Sequence, residues 1–279
     1  MQEEIVVKAP TTEALTPAQI TQKAEDLGVI KTEMSFGRSF ALSIMAGAFI
    51  AMGAMFFSLV VGDPALPFAI QRVLGGFLFC LGLILVVVAG AELFTGNTMI
   101  VMTAASKRIK WSAVWKNWIV VFFGNFLGAL VIVGLVFLSD MSAMNGGQVG
   151  QTMVSVAAGK MHADWLVLFA KGIMCNFLVC LGVWMAYASK TVTDKILAVV
   201  FPITAFVACG FEHCVANMFF LPMGALLASC GIAPAGIDPA SVNMLGALYN
   251  WSATVPGNIV GGALMVGMMY WFIYRKKKN

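Results

Sequence analysis

Charge is scarce in this chain: Asp, Glu, Lys and Arg make up 11% of its 279 residues, against about 25% in an ordinary soluble domain. That shortage excludes a fully solvated surface, and the 60% hydrophobic content points to a membrane protein instead. The six cysteines lie in or beside apolar stretches, without metal-like Cys/His spacing or a soluble disulfide framework. They read as small buried hydrophobes, and no metal or cofactor is expected. A Gly-x-Ser-x-Gly elbow is missing, so an intramembrane enzyme pairing His213 with Ser58 or Ser229 has no nucleophile motif. The chain is therefore not expected to be an enzyme. Paired Asn-Pro-Ala is missing too, which weakens a water or glycerol facilitator without removing it as an alternative. The run of basic residues at 275–278 is explained by topology, and no nucleic-acid partner is expected. The N-terminal 35 residues lack the basic-then-apolar order of a signal peptide, so no cleaved leader is expected.

Long apolar runs dominate what remains. A span needs about 20 apolar residues to cross about 30 Å of hydrocarbon, and six candidates fit, at 36–61, 70–103, 111–139, 165–188, 196–230 and 253–274. The second and fifth are too long for straight spans and carry polar residues at their middles. Both are expected to be helices broken at membrane depth, which is tolerated where the freed backbone lines a cavity. Fourteen of the 17 Lys and Arg residues fall in the N-terminal segment, the second-to-third loop, the fourth-to-fifth loop and the tail. Basic residues are retained on the cytoplasmic side, so both termini are expected there. The domain organisation expected is a cytoplasmic segment 1–35, a six-span unit 36–274 and a basic tail 275–279.

An internal repeat runs through the spans. Phe40-Ala41 with Ile44-Met45 reappears as Phe169-Ala170 with Ile173-Met174; Gly90, Glu92 and Asn97 reappear at identical spacing as Gly210, Glu212 and Asn217. Asn117-Trp118, Gly124-Asn125 and Gly128 match Asn250-Trp251, Gly257-Asn258 and Gly261. Each copy, 36–139 and 165–274, holds three spans, so the second enters the membrane inverted. Inverted repeats with broken helices are an architecture of transporters and channels, with the pathway at the repeat interface.

Few residues inside these spans can carry chemistry. A charge at mid-membrane costs at least about 2.5–3.5 kcal/mol, so Glu92 and Glu212 need a reason, and the one favoured is to accept hydrogen bonds from backbone N–H groups freed by the breaks. His213 takes the place of Leu93 in the repeat, so symmetry does not require it; an imidazole there can donate to an anion or exchange a proton. Thr95 and the N–H groups beside Gly96 make a small donor cluster, with Gly96 permitting positive φ, and Thr95 is also suited to capping the following half-helix. Lys160 either draws anions into a vestibule or only snorkels to the interface. Lys171 has no assigned role. On spacing alone, Phe79, Leu83, Leu93, Phe94 and Phe206 read as helix packing.

The segments Ala91-Glu92-Leu93-Phe94-Thr95-Gly96-Asn97, Cys175-Asn176-Phe177-Leu178-Val179-Cys180-Leu181 and Gly210-Phe211-Glu212-His213-Cys214-Val215-Ala216-Asn217-Met218 resemble the formate/nitrite transporter family, and the likeness covers about residues 18–274. Within it the layout looks most like the formate channel branch, although Gly96-Asn97 also resembles nitrite and hydrosulfide relatives. The resemblance implies a homopentamer of aquaporin-like six-span protomers in the lipid bilayer, each with its own pore. The substrate it implies is formate, with nitrite, hydrosulfide, acetate and lactate as further small anions. It implies a central His213, a loop Thr95, a vestibule Lys160, and Asn176 and Asn258 as polar neighbours of a pathway that also passes Glu212 and Asn217. Phe79, Leu83, Leu93, Phe94 and Phe206 become its apolar constrictions.

Overall fold

The computed structural model describes residues 13–275. Residues 1–12 and 276–279, which hold the start of the expected cytoplasmic segment and nearly all of the expected basic tail, lie outside them. Every regular element among the described residues is helical. Helix α1 (Pro17–Glu33) starts at a capping box: the Thr16 hydroxyl accepts from Gln19 N–H, and the Gln19 side chain accepts from Thr16 N–H. Pro17 occupies the first turn, where its missing N–H costs nothing. Then come α2 (Phe36–Val61) and α3 (Phe68–Leu85), the latter ending in a widened π-type turn (Val86–Gly90). Beyond a break at 91–93, α4 (Phe94–Asn97), a tight 3-10 turn (Thr98–Ile100) and α5 (Val101–Ala105) form one short half-helix. Helix α6 (Trp111–Leu138) follows, then α7 (Gln148–Met161) and α8 (Trp165–Ala188), the last begun by the Asp164 carboxylate on Leu166 and Val167 N–H. Helices α9 (Val192–Ala208) and α10 (Cys214–Ser229) are separated at 209–213. Helix α11 (Met244–Ile259) runs through a π-type stretch (Val260–Met268) into α12 (Met269–Tyr274).

Five helices are long and apolar enough to cross a membrane: Phe36–Val61, Phe68–Gly90, Trp111–Leu138, Trp165–Ala188 and Met244–Tyr274. Helices α9 and α10 are shorter, at 17 and 16 residues. The last long helix begins nine residues earlier than its apolar run suggests, because the Asn243 side chain accepts from Leu245 and Gly246 N–H and starts the helix there. Along α6, Ile119, Phe123, Leu127, Val131 and Leu135 recur every fourth residue and all stand exposed. An uninterrupted apolar stripe of that length suits lipid or a neighbouring subunit and not water. The protein is a multi-pass membrane protein.

Both breaks turn on glycine. Gly90 has φ +85° and Gly210 has φ +71°, a conformation an L side chain adopts only at a cost of about 1–2 kcal/mol. Gly96, by contrast, sits inside α4 with helical backbone, so the positive φ expected of it is supplied by Gly90 instead. A Cβ on Gly90 would meet nothing within 4 Å; Gly90→Ala therefore isolates backbone strain. It is expected to lower the melting temperature in detergent by roughly 2–5 °C, read by thermal-shift fluorescence. An unchanged temperature would show that the break tolerates a negative φ.

Equivalent helices pack alike. Helix α2 lies against α6 and α3 as α8 lies against α11 and α9, and α1 touches α5 as α7 touches α10. The two sets meet along α3 and α9. Both breaks lie beside this seam.

Candidate functional site

At each break a carboxylate, an asparagine and a lysine form a closed polar cluster. The Glu92 carboxylate receives Lys31 Nζ at 2.7 Å and Asn97 Nδ2 at 2.7 Å, and Asn97 Nδ2 also reaches Asn117 Oδ1 at 2.9 Å. Glu212 receives Lys160 Nζ at 2.9 Å and Asn217 Nδ2 at 2.7 Å, and Asn217 Nδ2 reaches Asn250 Oδ1 at 2.8 Å. These contacts are equivalent in the two sets, but the carbonyl oxygens of the two asparagines differ in their partners. Asn97 Oδ1 accepts from Lys31 at 2.8 Å, whereas buried Asn217 Oδ1 has no partner among the described residues.

The glutamates were expected to satisfy freed backbone N–H groups, but other side chains do so. Asn125 Oδ1 accepts from Phe94 N–H at 2.9 Å, while its Nδ2 donates to the carbonyls of Ser43 and Glu92 at 2.7 and 2.9 Å. Asn258 repeats this on Cys214 N–H at 2.9 Å and on the carbonyls of Gly172 and Glu212, both at 2.8 Å. A planar amide carries an acceptor and a two-proton donor, so one asparagine can serve both strands of a break. A carboxylate accepts only, and is left to hold the lysine.

His213 occupies the N-cap of α10, where Nδ1 accepts from Ala216 N–H at 2.9 Å. That bond fixes the tautomer. With Nδ1 unprotonated, the ring proton of a neutral imidazole lies on Nε2, which stands 3.0 Å from Thr95 Oγ1. Nε2–H therefore donates to Thr95, whose own hydroxyl proton is left to point elsewhere. Thr95 does not cap α4, which begins at Leu93 without a side-chain cap; on the other half-helix His213 does the capping.

Two cavities flank the Thr95–His213 pair. One, of about 430 Å³, is lined by Lys23, Lys31 and Lys195, by Glu92 and Asn97, and by Leu83, Leu93 and Gly96 at its inner end. The other, of about 280 Å³, is lined by Arg72, Lys160, Lys171, Glu212, Phe79, Phe206 and His213. Each therefore offers three cations against one carboxylate, an arrangement that concentrates anions. Lys23, on α1, donates to the Tyr187 carbonyl at 2.8 Å; burial, then the nearby Lys195 and Lys190 ammonium groups, hold its pKa below the usual lysine value. Between the cavities the rings are close-packed. Phe206 meets Phe79 edge-on with centroids 5.8 Å apart and stacks on His213 at 5.8 Å.

The structure thus brings together Thr95, His213, Phe79, Leu83, Leu93 and Phe206 between two charged mouths, one of which holds both Lys160 and Glu212. Phe94 stands apart: it lines neither cavity and packs against Trp118 and Phe122 of α6. The Asn176 amide is spent on the carbonyls of Thr95 and Asn258 and on the Thr98 hydroxyl, and Asn258 is spent on its break, so both brace the site from behind. Lys31, Asn117, Asn125 and Asn250 are site residues the sequence reading passed over as such. The signal was available, because Lys31 precedes α2 as Lys160 precedes α8, at the offset that relates Ser43 to Gly172.

A family profile described as formate/nitrite transporter matches residues 18–272. The chain belongs to the formate/nitrite transporter family. The formate channel FocA of Escherichia coli K12 is 39% identical over 275 residues, covering 95% of this chain and 96% of FocA. A solved pentameric formate channel with formate bound superposes with a TM-score of 0.77 at 38% identity, covering 86% of this chain and 98% of that one. An ion channel of the family superposes with a TM-score of 0.80 at 27% identity, covering 91% and 98%. As in other formate/nitrite transporters, the work expected of such a site is passage of a solute and not its conversion.

Proposed function

We propose that this chain passes formate, a small monovalent anion, across the inner membrane, through a pathway in each protomer of a homopentamer. The observation that carries this reading is the paired arrangement above: two cation-rich cavities on either side of one apolar layer, with the Thr95–His213 donors at its centre. The names of the FocA relative and of the pentameric solved neighbour support formate and the five-fold assembly. The distribution of basic residues supports cytoplasmic termini, which places the α1-side cavity inside and the α7-side cavity outside.

The layer of Phe79, Phe206, Leu83 and Leu93 offers no solvation to a bare charge, whose burial costs several kcal/mol. A carboxylate losing water there becomes a stronger base, and taking a proton lets it cross as the neutral acid. His213 is not the source of that proton, since releasing one from Nε2 while Nδ1 accepts from Ala216 leaves an imidazolate. The proton comes from water in the mouth, and Nε2–H and the Thr95 hydroxyl hold the carbonyl oxygen in transit. Lys160 and Lys31 draw the anion to the two ends.

The test is initial-rate uptake into proteoliposomes of formate, nitrite, hydrosulfide, acetate and lactate, with a lumenal pH dye. Formate is expected to move fastest and to acidify the lumen as the acid re-ionises. Formate uptake without lumenal acidification rules out the neutral-acid step; water flux in its place returns the facilitator reading.

A further inference from the structure

We propose that Lys171 sets the affinity for the anion at the α7-side mouth, an inference that rests on the permeation reading above. Lys171 lies six residues into α8, and its backbone carbonyl accepts from Glu212 N–H at 3.3 Å, which pins it beside the second break. Its side chain lines the 280 Å³ cavity that leads to His213. An ammonium inside a span has to be compensated, yet no carboxylate or carbonyl among the described residues takes up its Nζ.

The other two cations of that cavity are committed. Arg72 donates to the carbonyls of Val207 and Ala208 at 2.8 and 2.9 Å, closing the end of α9. Lys160 is paired to Glu212, whose remaining oxygen is held by Asn217 and Asn250. Glu212 is thereby engaged on both oxygens and makes no ion pair with Lys171. Lys171 is the one cation lining this cavity whose side chain makes no hydrogen bond to the described residues.

Comparison between the halves isolates the charge as something added. The equivalent position on α2 is Leu42, whose carbonyl likewise accepts from Glu92 N–H at 3.3 Å and which lines the opposite cavity. The backbone duty is therefore performed by either side chain. What lysine adds is a positive charge at a repeat position that is neutral in the other mouth, and charge raises local anion concentration in a low-dielectric cleft. A carboxylate or other compact oxyanion meeting this ammonium exchanges hydration for charge-assisted hydrogen bonds before it reaches the rings. The consequence is a one-sided gain in affinity at low solute concentration.

The experiment replaces Lys171 by its counterpart, Lys171→Leu, and by Lys171→Arg, and measures initial formate uptake against formate concentration in right-side-out and everted vesicles at low and high potassium gluconate. Lys171→Leu is expected to raise the half-saturating formate concentration about 3- to 10-fold in one vesicle orientation, with a smaller effect on the saturated rate. High salt should raise the wild-type value toward that of the variant, and Lys171→Arg should restore it. Should Lys171→Leu fail to reach the membrane, Lys171→Gln gives the same neutral comparison. Wild-type concentration and salt dependence for the neutral variant in both orientations overturns the proposal. Wild-type vesicles that take up no formate overturn the permeation reading, and this proposal with it.

Discussion

Replacing His213 by Ala is expected to lower formate flux by up to about tenfold, while replacing it by Asn is expected to recover much of the loss. A hydrogen bond to a neutral partner, as the acid is in transit, contributes about 0.5–1.5 kcal/mol, and each 1.4 kcal/mol is about tenfold. The imidazole does two things: Nδ1 caps α10 through Ala216 N–H, and Nε2–H faces Thr95 at 3.0 Å. Ala removes both, and the lost cap alone costs about 1 kcal/mol, small enough for an assembled protein to be assayed. Asn is among the strongest capping residues and carries a neutral N–H donor. If His213 works as a neutral donor, Asn serves in part. If it works by exchanging a proton, Asn fails as completely as Ala, and the tautomer argument built on Ala216 fails with it. Flux and melting temperature measured together on both variants separate the outcomes.

The second large effect belongs to the rings. Phe206 lies between Phe79 and the His213 imidazole, touching each at a centroid distance of 5.8 Å, and Phe79 and Phe206 are both almost fully buried. An apolar constriction of this kind closes a pore by staying dry. Truncating both rings to Ala is expected to let water through and to relax the discrimination between formate and bulkier acetate or lactate. Truncation of core rings normally costs about 3–5 kcal/mol each, but here one face of the pair borders a cavity and the loss is expected at the low end. The change is a gain of permeability, which an unfolded protein does not produce.

Much of the framework was legible before any coordinates. Two apolar runs too long to be straight, each with Gly, Glu and Asn at matching positions, mark the breaks, and the structure interrupts the helices at 91–93 and 209–213. The pairing of Asn117 with Asn250 and Asn125 with Asn258 was visible as a repeat, but not as a division of labour. Which residue serves a freed N–H depends on how α6 crosses α4 and how α11 crosses α10, and spacing along one helix does not encode that. For the same reason Glu92 and Glu212 were expected on backbone N–H groups that asparagines hold. Helix α7 was hidden because its 14 residues are mixed in polarity and too short for a span. With α7 unseen, the equivalence of Lys31 to Lys160 went unseen too. Phe94 is instructive in another way: its neighbour Leu93 lines a cavity and Thr95 meets His213, and the turn of α4 carries the ring between them onto Trp118.

The measurement that reaches the central claim most directly is stopped-flow light scattering on proteoliposomes holding wild type or the Phe79→Ala/Phe206→Ala double variant, with acetate and lactate uptake alongside. A pathway past His213 predicts that the assembled double variant is severalfold more permeable to water than wild type and admits the larger acids. An assembled double variant no more permeable than wild type to water, acetate or lactate would place the route elsewhere in the molecule.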